Sequence, residues 1–165
     1  FTASGDRTAG WDFTTRYTVG WVARPDLITG RDLPMTPEGL REMPLVLYPK
    51  PSPLFNPVAE YVDEMRSQPA PRHYGNSLAT ICEMVRQGYG ASALSLSALE
   101  ADIRAGNLTQ IPVTDKIDPL DVACTYINRA RRKHVGLILE IARDVCETWC
   151  REHSAHASFL QTASD

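Results

Sequence analysis

Residues 74 to 112, YGNSLATICEMVRQGYGASALSLSALEADIRAGNLTQIP, hold the pattern from which the rest of the chain is read. Asn76 and Ser77 carry short side-chain oxygens of the kind that accept from the orphan amides of a helix start. Leu78, Ile81, Cys82 and Val85 then recur at i, i+3, i+4 and i+7, one apolar stripe on a helix that Gly88 can end in the left-handed conformation. Ala91 to Leu94 is a short run of small and apolar residues, as expected of a parallel strand buried on both faces. Ser97 with Glu100 makes a capping box, Leu99 and Ile103 supply a second apolar face, and Gly106 supplies a stop. The stretch thus alternates strand and helix and closes on a strand at Ile111.

Working outward towards the N-terminus, Leu45 to Tyr48 reads as a strand closed by Pro49-Lys50-Pro51-Ser52-Pro53, which cannot continue a ladder. Asn56-Pro57 opens a helix with Val58, Tyr61, Val62 and Met65 on one face, bracketed at its end by Pro69 and Pro71. Thr36-Pro37 is an N-cap and first-turn pair for a short helix carrying Leu40 and Met43. Tyr17, Val19, Trp21 and Ala23 alternate with Thr18, Gly20 and Val22, the period of a strand that Pro25 ends. Residues 5 to 16 are polar, contain glycine, show no period and read as a loop. Towards the C-terminus, a polar linker after Val113 leads into Leu120 to Ile127, an apolar strand. A last helix from about Val135 to Glu152 places Ile138, Ile141, Ala142, Val145 and Trp149 at helical spacing. Arg143 with Glu147, and Glu147 with Arg151, sit at i, i+4 on its outer side. The tail from Ser154 is small and polar and reads as disordered. Regular alternation from Leu45 to Ile111 implies parallel pairing through right-handed crossovers, hence an α/β lobe.

The order Asn76-Ser77, amphipathic helix, Gly88-Tyr89-Gly90, buried strand, helix, Ala105-Gly106-Asn107-Leu108 and a strand closing on Ile111-Pro112 resembles the effector-binding domain of LysR-type transcriptional regulators. Trp21-Val22-Ala23-Arg24-Pro25-Asp26 and Met43-Pro44-Leu45-Val46 also look like that family's approach to its second lobe. The likeness covers most of the chain, with one departure: the family usually carries a proline after the buried strand, where this chain has Ser95. The resemblance implies a two-lobed, periplasmic-binding-protein-like (type 2) α/β fold with a ligand cleft between lobes. It divides the chain into a partial first lobe over 1–23, a complete second lobe over 24–113, a return to the first lobe over 114–153 and a disordered tail over 154–165. By the same resemblance Phe1 lies inside a strand of the first lobe, with a winged helix-turn-helix domain upstream that would contact DNA, in a homodimer or homotetramer.

Composition bounds the alternatives. With 165 residues, 43% hydrophobic content, three tryptophans and a charged fraction of 22%, the chain can bury a real core and belongs with ordered globular proteins. A net charge of −3 argues against a nucleic-acid surface on this portion. No apolar run approaches membrane-spanning length. Phe1-Thr2-Ala3-Ser4 lacks the basic and apolar regions of a signal peptide. Four cysteines without clustered spacing fit a reducing compartment, so the cytoplasm is the expected location.

Ligands of open α/β sheets bind beyond the carboxyl ends of the strands, here Tyr48-Pro49-Lys50, Tyr74-Gly75-Asn76-Ser77 and Leu94-Ser95. A helix start at Ser77 offers amides and a positive dipole end to an anion, so a small carboxylate effector is a natural guest. The plainer alternative is that Asn76 and Ser77 only cap their helix. Lys50 can pair with an acidic ligand or simply be solvated, and Tyr48 and Tyr74 can offer hydroxyls or stacking faces. The resemblance brings Thr2 and Ser4 to the cleft from the first lobe. Cys146, Cys150 and His153 share one side of the last helix, but three ligands at a frayed end without a supporting carboxylate make a poor metal site. His73 and His134 are isolated. No phosphate-binding glycine loop, nucleophile elbow, zinc-protease helix or paired-carboxylate motif appears, so no catalytic residue and no cofactor is expected. The reading that follows is a sensor domain of a LysR-type regulator. A solute-binding protein of a transport system, or an enzyme on the same fold, is the alternative.

Overall fold

The computed structural model describes residues 9–62, 70–127 and 133–161. In chain order the elements are β1 (Ala9–Tyr17), β2 (Val19–Ala23), α1 (Pro25–Ile28), α2 (Pro37–Arg41), β3 (Leu45–Leu47), α3 (Phe55–Tyr61), β4 (Arg72–Tyr74), α4 (Leu78–Arg86), β5 (Ser92–Ser95), a 3-10 turn (Leu96–Ala98), α5 (Glu100–Arg104), β6 (Thr109–Gln110), β7 (Leu120–Ile127), α6 (Lys133–Glu152) and β8 (Ala157–Gln161). They form two compact units, residues 19–118 and residues 1–18 with 119–165. β2 therefore belongs to the larger unit, whereas the sequence places the boundary after it.

In the larger unit β3 and β4 run parallel, as the alternation predicts, while β2 lies antiparallel between β5 and β6. A parallel bridge from Leu45 to Ala91 joins the two ladders, with Val46 N donating to Ala91 O at 2.8 Å and Ala91 N to Pro44 O at 2.9 Å. This junction is why residue 90 is glycine: a Cβ there would stand 2.4 Å from the Pro44 carbonyl oxygen. All five residues of β2 are buried, so this strand is central and the period-two pattern there does not mark a wet face. Val22, Val46, Ile81, Cys82, Val85, Leu94, Leu96, Leu99 and Leu108 form one core cluster. Burial of each large aliphatic side chain is worth about 1.5 to 3 kcal/mol, offset by the entropy of ordering it. Leu78, expected on the same stripe, is 42% exposed at the first position of α4.

Helix boundaries follow local chemistry in some places and tertiary contacts in others. Thr36 caps α2 as expected, its Oγ1 accepting from Gly39 N at 3.3 Å, and Leu40 and Met43 are fully buried. α4 ends at Gly88, whose φ of +81° is the left-handed conformation that glycine adopts freely. The capping box at Ser97 and Glu100 does not form. Ser97 sits inside the buried 3-10 turn with its hydroxyl 2.8 Å from that of Ser95, and Leu99 precedes α5. α3 opens at Phe55, one residue before Asn56, with Ser52 Oγ accepting from Leu54 N at 3.3 Å. The expected Met65 contact and Pro69 lie outside the described residues. The four-residue α1, where only a strand end was expected, opens on Pro25 at its first position.

The smaller unit corrects the sequence reading at both ends of the chain. Residues 9–17 form β1 and not a loop; it is the middle strand of a three-stranded antiparallel sheet, β7-β1-β8. Its polar Thr14 and Thr15 are buried, and Thr15 Oγ1 donates to Val122 O at 3.3 Å, so ladder bonds on both sides replace the missing apolar period. Residues 157–161, expected in a disordered tail, form β8, paired from Phe13–Gln161 to Tyr17–Ala157. In α6, Trp149 packs on Tyr17 at 5.8 Å between ring centroids and Cys150 is buried. Ile138, Ile141 and Val145, which share the helical spacing with Trp149, are 63%, 55% and 61% exposed. Arg143 pairs with Asp12 of β1 and not with Glu147.

Candidate functional site

The residues expected at the site lie around the carboxyl ends of β3, β4 and β5. The parallel registers Leu47–Tyr74 and Leu45–Ala91 set Tyr48, Gly75 and Leu94 at one level, so the segments expected to bind a ligand do share one edge of the sheet. Gly75 N donates to Leu47 O at 3.0 Å and holds the turn from β4 into α4.

At that turn the structure separates two expectations. Ser77 occupies the N-cap position with φ −128° and ψ 130°, yet its side chain makes no capping hydrogen bond. Asn76 and Ser77 are both exposed. The first helical bond runs from Ile81 N to Ser77 O at 3.0 Å, which leaves the amides of Leu78, Ala79 and Thr80 without a partner inside the helix. The capping expectation is thus corrected: chain geometry at the N-cap is right, but the hydroxyl caps none of the amides. A start of this kind satisfies its amides with water or an anion, and the helix dipole favours the anion by about 0.3 to 1 kcal/mol.

The remaining candidates fall at graded distances from solvent. Tyr74 is 49% exposed at the end of β4. Tyr48 is half-buried and packs against the core cluster; burial, and secondarily the neighbouring Cys82, pushes its phenol up, so it stays protonated and can donate. Lys50 is exposed, with its Nζ 4.9 Å from the centroid of the Phe55 ring. Ser95 is half-buried and already hydrogen-bonded to Ser97. Thr2 and Ser4 lie outside the described residues. His73 stands edge-on to Tyr89 at 5.7 Å, while His153 stacks on Trp149 at 4.0 Å with Nδ1 2.9 Å from the Trp149 carbonyl oxygen. Among the described residues no group of three or more histidine, cysteine or carboxylate side chains is placed to hold a metal ion. No described helix is long and apolar enough to cross a membrane.

One feature went unread in the sequence. A pocket opens between β3, β5 and α3, where the apolar side chains of Leu47, Leu54, Phe55, Val58, Ala59 and Ala93 are joined by Tyr48 and Ser92. Its only sequence signal is the pair of alanines, where larger residues would close it.

The mixed α/β architecture is the periplasmic-binding-protein-like type 2 fold. The LysR substrate binding domain family matches residues 13–147, and the chain belongs to that family. It is the ligand-sensing domain of a transcriptional regulator. Among solved structures it is similar to the regulatory domain of MetR, a LysR family regulator from N. meningitidis, with a TM-score of 0.68 at 14% identity over 96% of this chain and 72% of that one. A reduced form of OxyR from N. meningitidis matches with a TM-score of 0.66 at 16% identity, over 96% and 71%. The effector domain of AmpR from Pseudomonas aeruginosa matches at 0.62 and 10%, over 92% and 70%. Identities this low carry a likeness of fold alone. No curated protein sequence matches the chain.

Proposed function

We propose that the domain senses a small carboxylate at the carboxyl ends of β3, β4 and β5. Asn76, Ser77 and the amides of Leu78 to Thr80 receive the anion, Lys50 approaches it from the loop after β3 and Tyr74 from the end of β4, and Tyr48 and Ser95 form the wall. The observation that carries this reading is the start of α4, whose N-cap hydroxyl is exposed and not used for capping. Binding can bias a regulator only through unequal affinity for its alternative arrangements. The output, by family membership, is altered DNA contact by a winged helix-turn-helix domain in a cytoplasmic homodimer or homotetramer. The test is Ser77→Ala, titrated with simple carboxylates and followed by amide chemical shifts. Affinity should fall several-fold for loss of one hydrogen bond to a charged group. Stability should change by less than about 0.5 kcal/mol, because no cap is lost. Unchanged affinity removes Ser77 from the site.

A further inference from the structure

The geometry points to α6 as a self-association surface: its exposed side pairs antiparallel with α6 of a second copy of this chain, in a homodimer whose twofold axis passes at the level of Arg143. The surface belongs wholly to the smaller unit, and its role does not depend on the carboxylate reading.

α6 runs from Lys133 to Glu152 and carries two stripes. Leu139, Ala142, Cys146, Trp149 and Cys150 make the first, and all five are half-buried or buried. The second lies about a third of a turn around the helix. It consists of His134, Ile138, Ile141, Val145, Thr148 and Glu152, all of them exposed. Their spacing alternates between four and three residues from one end of the helix to the other, which is the repeat that keeps one seam turned towards a partner helix. Exposed aliphatic side chains gathered in this way mark an interaction surface. The order of residues along the seam identifies the partner. Two isoleucines and a valine hold its middle, an imidazole stands at one end and a carboxylate at the other. Against an antiparallel copy, Ile141 meets Val145 of the partner subunit, Ile138 meets Thr148 of the partner subunit and His134 meets Glu152 of the partner subunit, and the twofold axis makes each contact twice. On a single helix His134 and Glu152 stand about 27 Å apart, so they can meet only between copies. Parallel pairing would set each end against its like. One like-charged approach remains, that of Asp144 to its own copy near the axis, on the exposed rim where such pairs count for little.

The test is sedimentation velocity of the 165-residue chain over a range of concentrations. Reversible dimerisation is expected with a dissociation constant between about 1 µM and 1 mM, because one helical seam lies at the small end of interface sizes. Ile141→Gln should weaken association about tenfold or more, with the melting temperature of the dilute monomer unchanged because the side chain is exposed there. Glu152→Lys should weaken it about threefold. Adding His134→Glu to Glu152→Lys should restore it, since the exchanged pair again sets a cation against a carboxylate across the axis. A chain that stays monomeric up to about 1 mM overturns the proposal and leaves the seam to a different partner. Dimers that survive Ile141→Gln, or a double variant that associates no better than Glu152→Lys alone, also overturn it, by placing self-association elsewhere or in another register.

Discussion

At the scale of single residues, what matters is whether a polar group is already committed. Ser95 and Ser97 are committed to each other, Arg143 to Asp12, and His153 to Trp149, whereas Ser77 and Lys50 face solvent or a ring. The Arg86–Asp102 pair shows how much a committed pair decides. Arg86 Nη2 donates to Asp102 Oδ2 at 2.7 Å and its Nε to Oδ1 at 3.1 Å, clamping the end of α4 to α5. The Arg86 guanidinium holds the Asp102 carboxyl below its ordinary value of 3.8. As pH falls, the unfolded chain takes up this proton first, so the stabilisation is fully present above that ordinary value and is lost as pH falls through the lower folded value. Asp102→Asn should flatten this part of the acid side of the urea-stability profile; an unaltered profile would show that the pair contributes nothing measurable. Fully buried Leu94 gives the opposite kind of residue-scale expectation. Leu94→Ala should cost about 2 to 5 kcal/mol in urea unfolding, because the packed cluster cannot collapse into the space.

At the scale of elements, β1 and α6 show where pattern and outcome part. β1 has no apolar alternation, and its strand state depends on two partners more than a hundred residues downstream. Deleting the chain beyond His156 should therefore strip hydrogen-exchange protection from the amides of β1 that face β8, while β2 keeps its protection. Protection unchanged in β1 would mean that β8 contributes no stability. α6 has the reverse problem: its periodicity is strong, but only part of the helix is used. Its Trp149–Cys150 side packs within the smaller unit, and Leu137, Ile138, Ile141 and Val145 remain on the surface. Ile141→Gln should change stability by less than about 0.5 kcal/mol, where Trp149→Ala should cost about 2 kcal/mol or more. Equal costs would place Ile141 in a packed environment.

At the scale of the whole molecule, the larger unit is one continuous run, residues 19–118, with its own core cluster and all the proposed site residues. The smaller unit is assembled from both ends of the chain. A polypeptide of residues 19–118 should fold alone, give a dispersed amide spectrum and retain the carboxylate-induced shifts; a collapsed spectrum would show that its core depends on the smaller unit.

The amino-acid sequence by itself determined what depends on local order. The sequence of elements from β3 to β6, the burial of Ile81, Cys82 and Val85 and the stop at Gly88 follow from spacing and order along the chain, because a helix reads its neighbours at i, i+3 and i+4 and a buried strand reads its own composition. Tertiary structure alone decided what depends on distant partners. It turned polar β1 and the tail into paired strands, moved Ser97 from a cap into a buried turn, drew Arg143 to Asp12, left half of α6 uncovered and opened a slot between Ala59 and Ala93. Apart from Ser97, which is hydrogen-bonded two residues away to Ser95, each of these outcomes is set by groups far apart in the chain, and no local window of sequence contains both members of the contact.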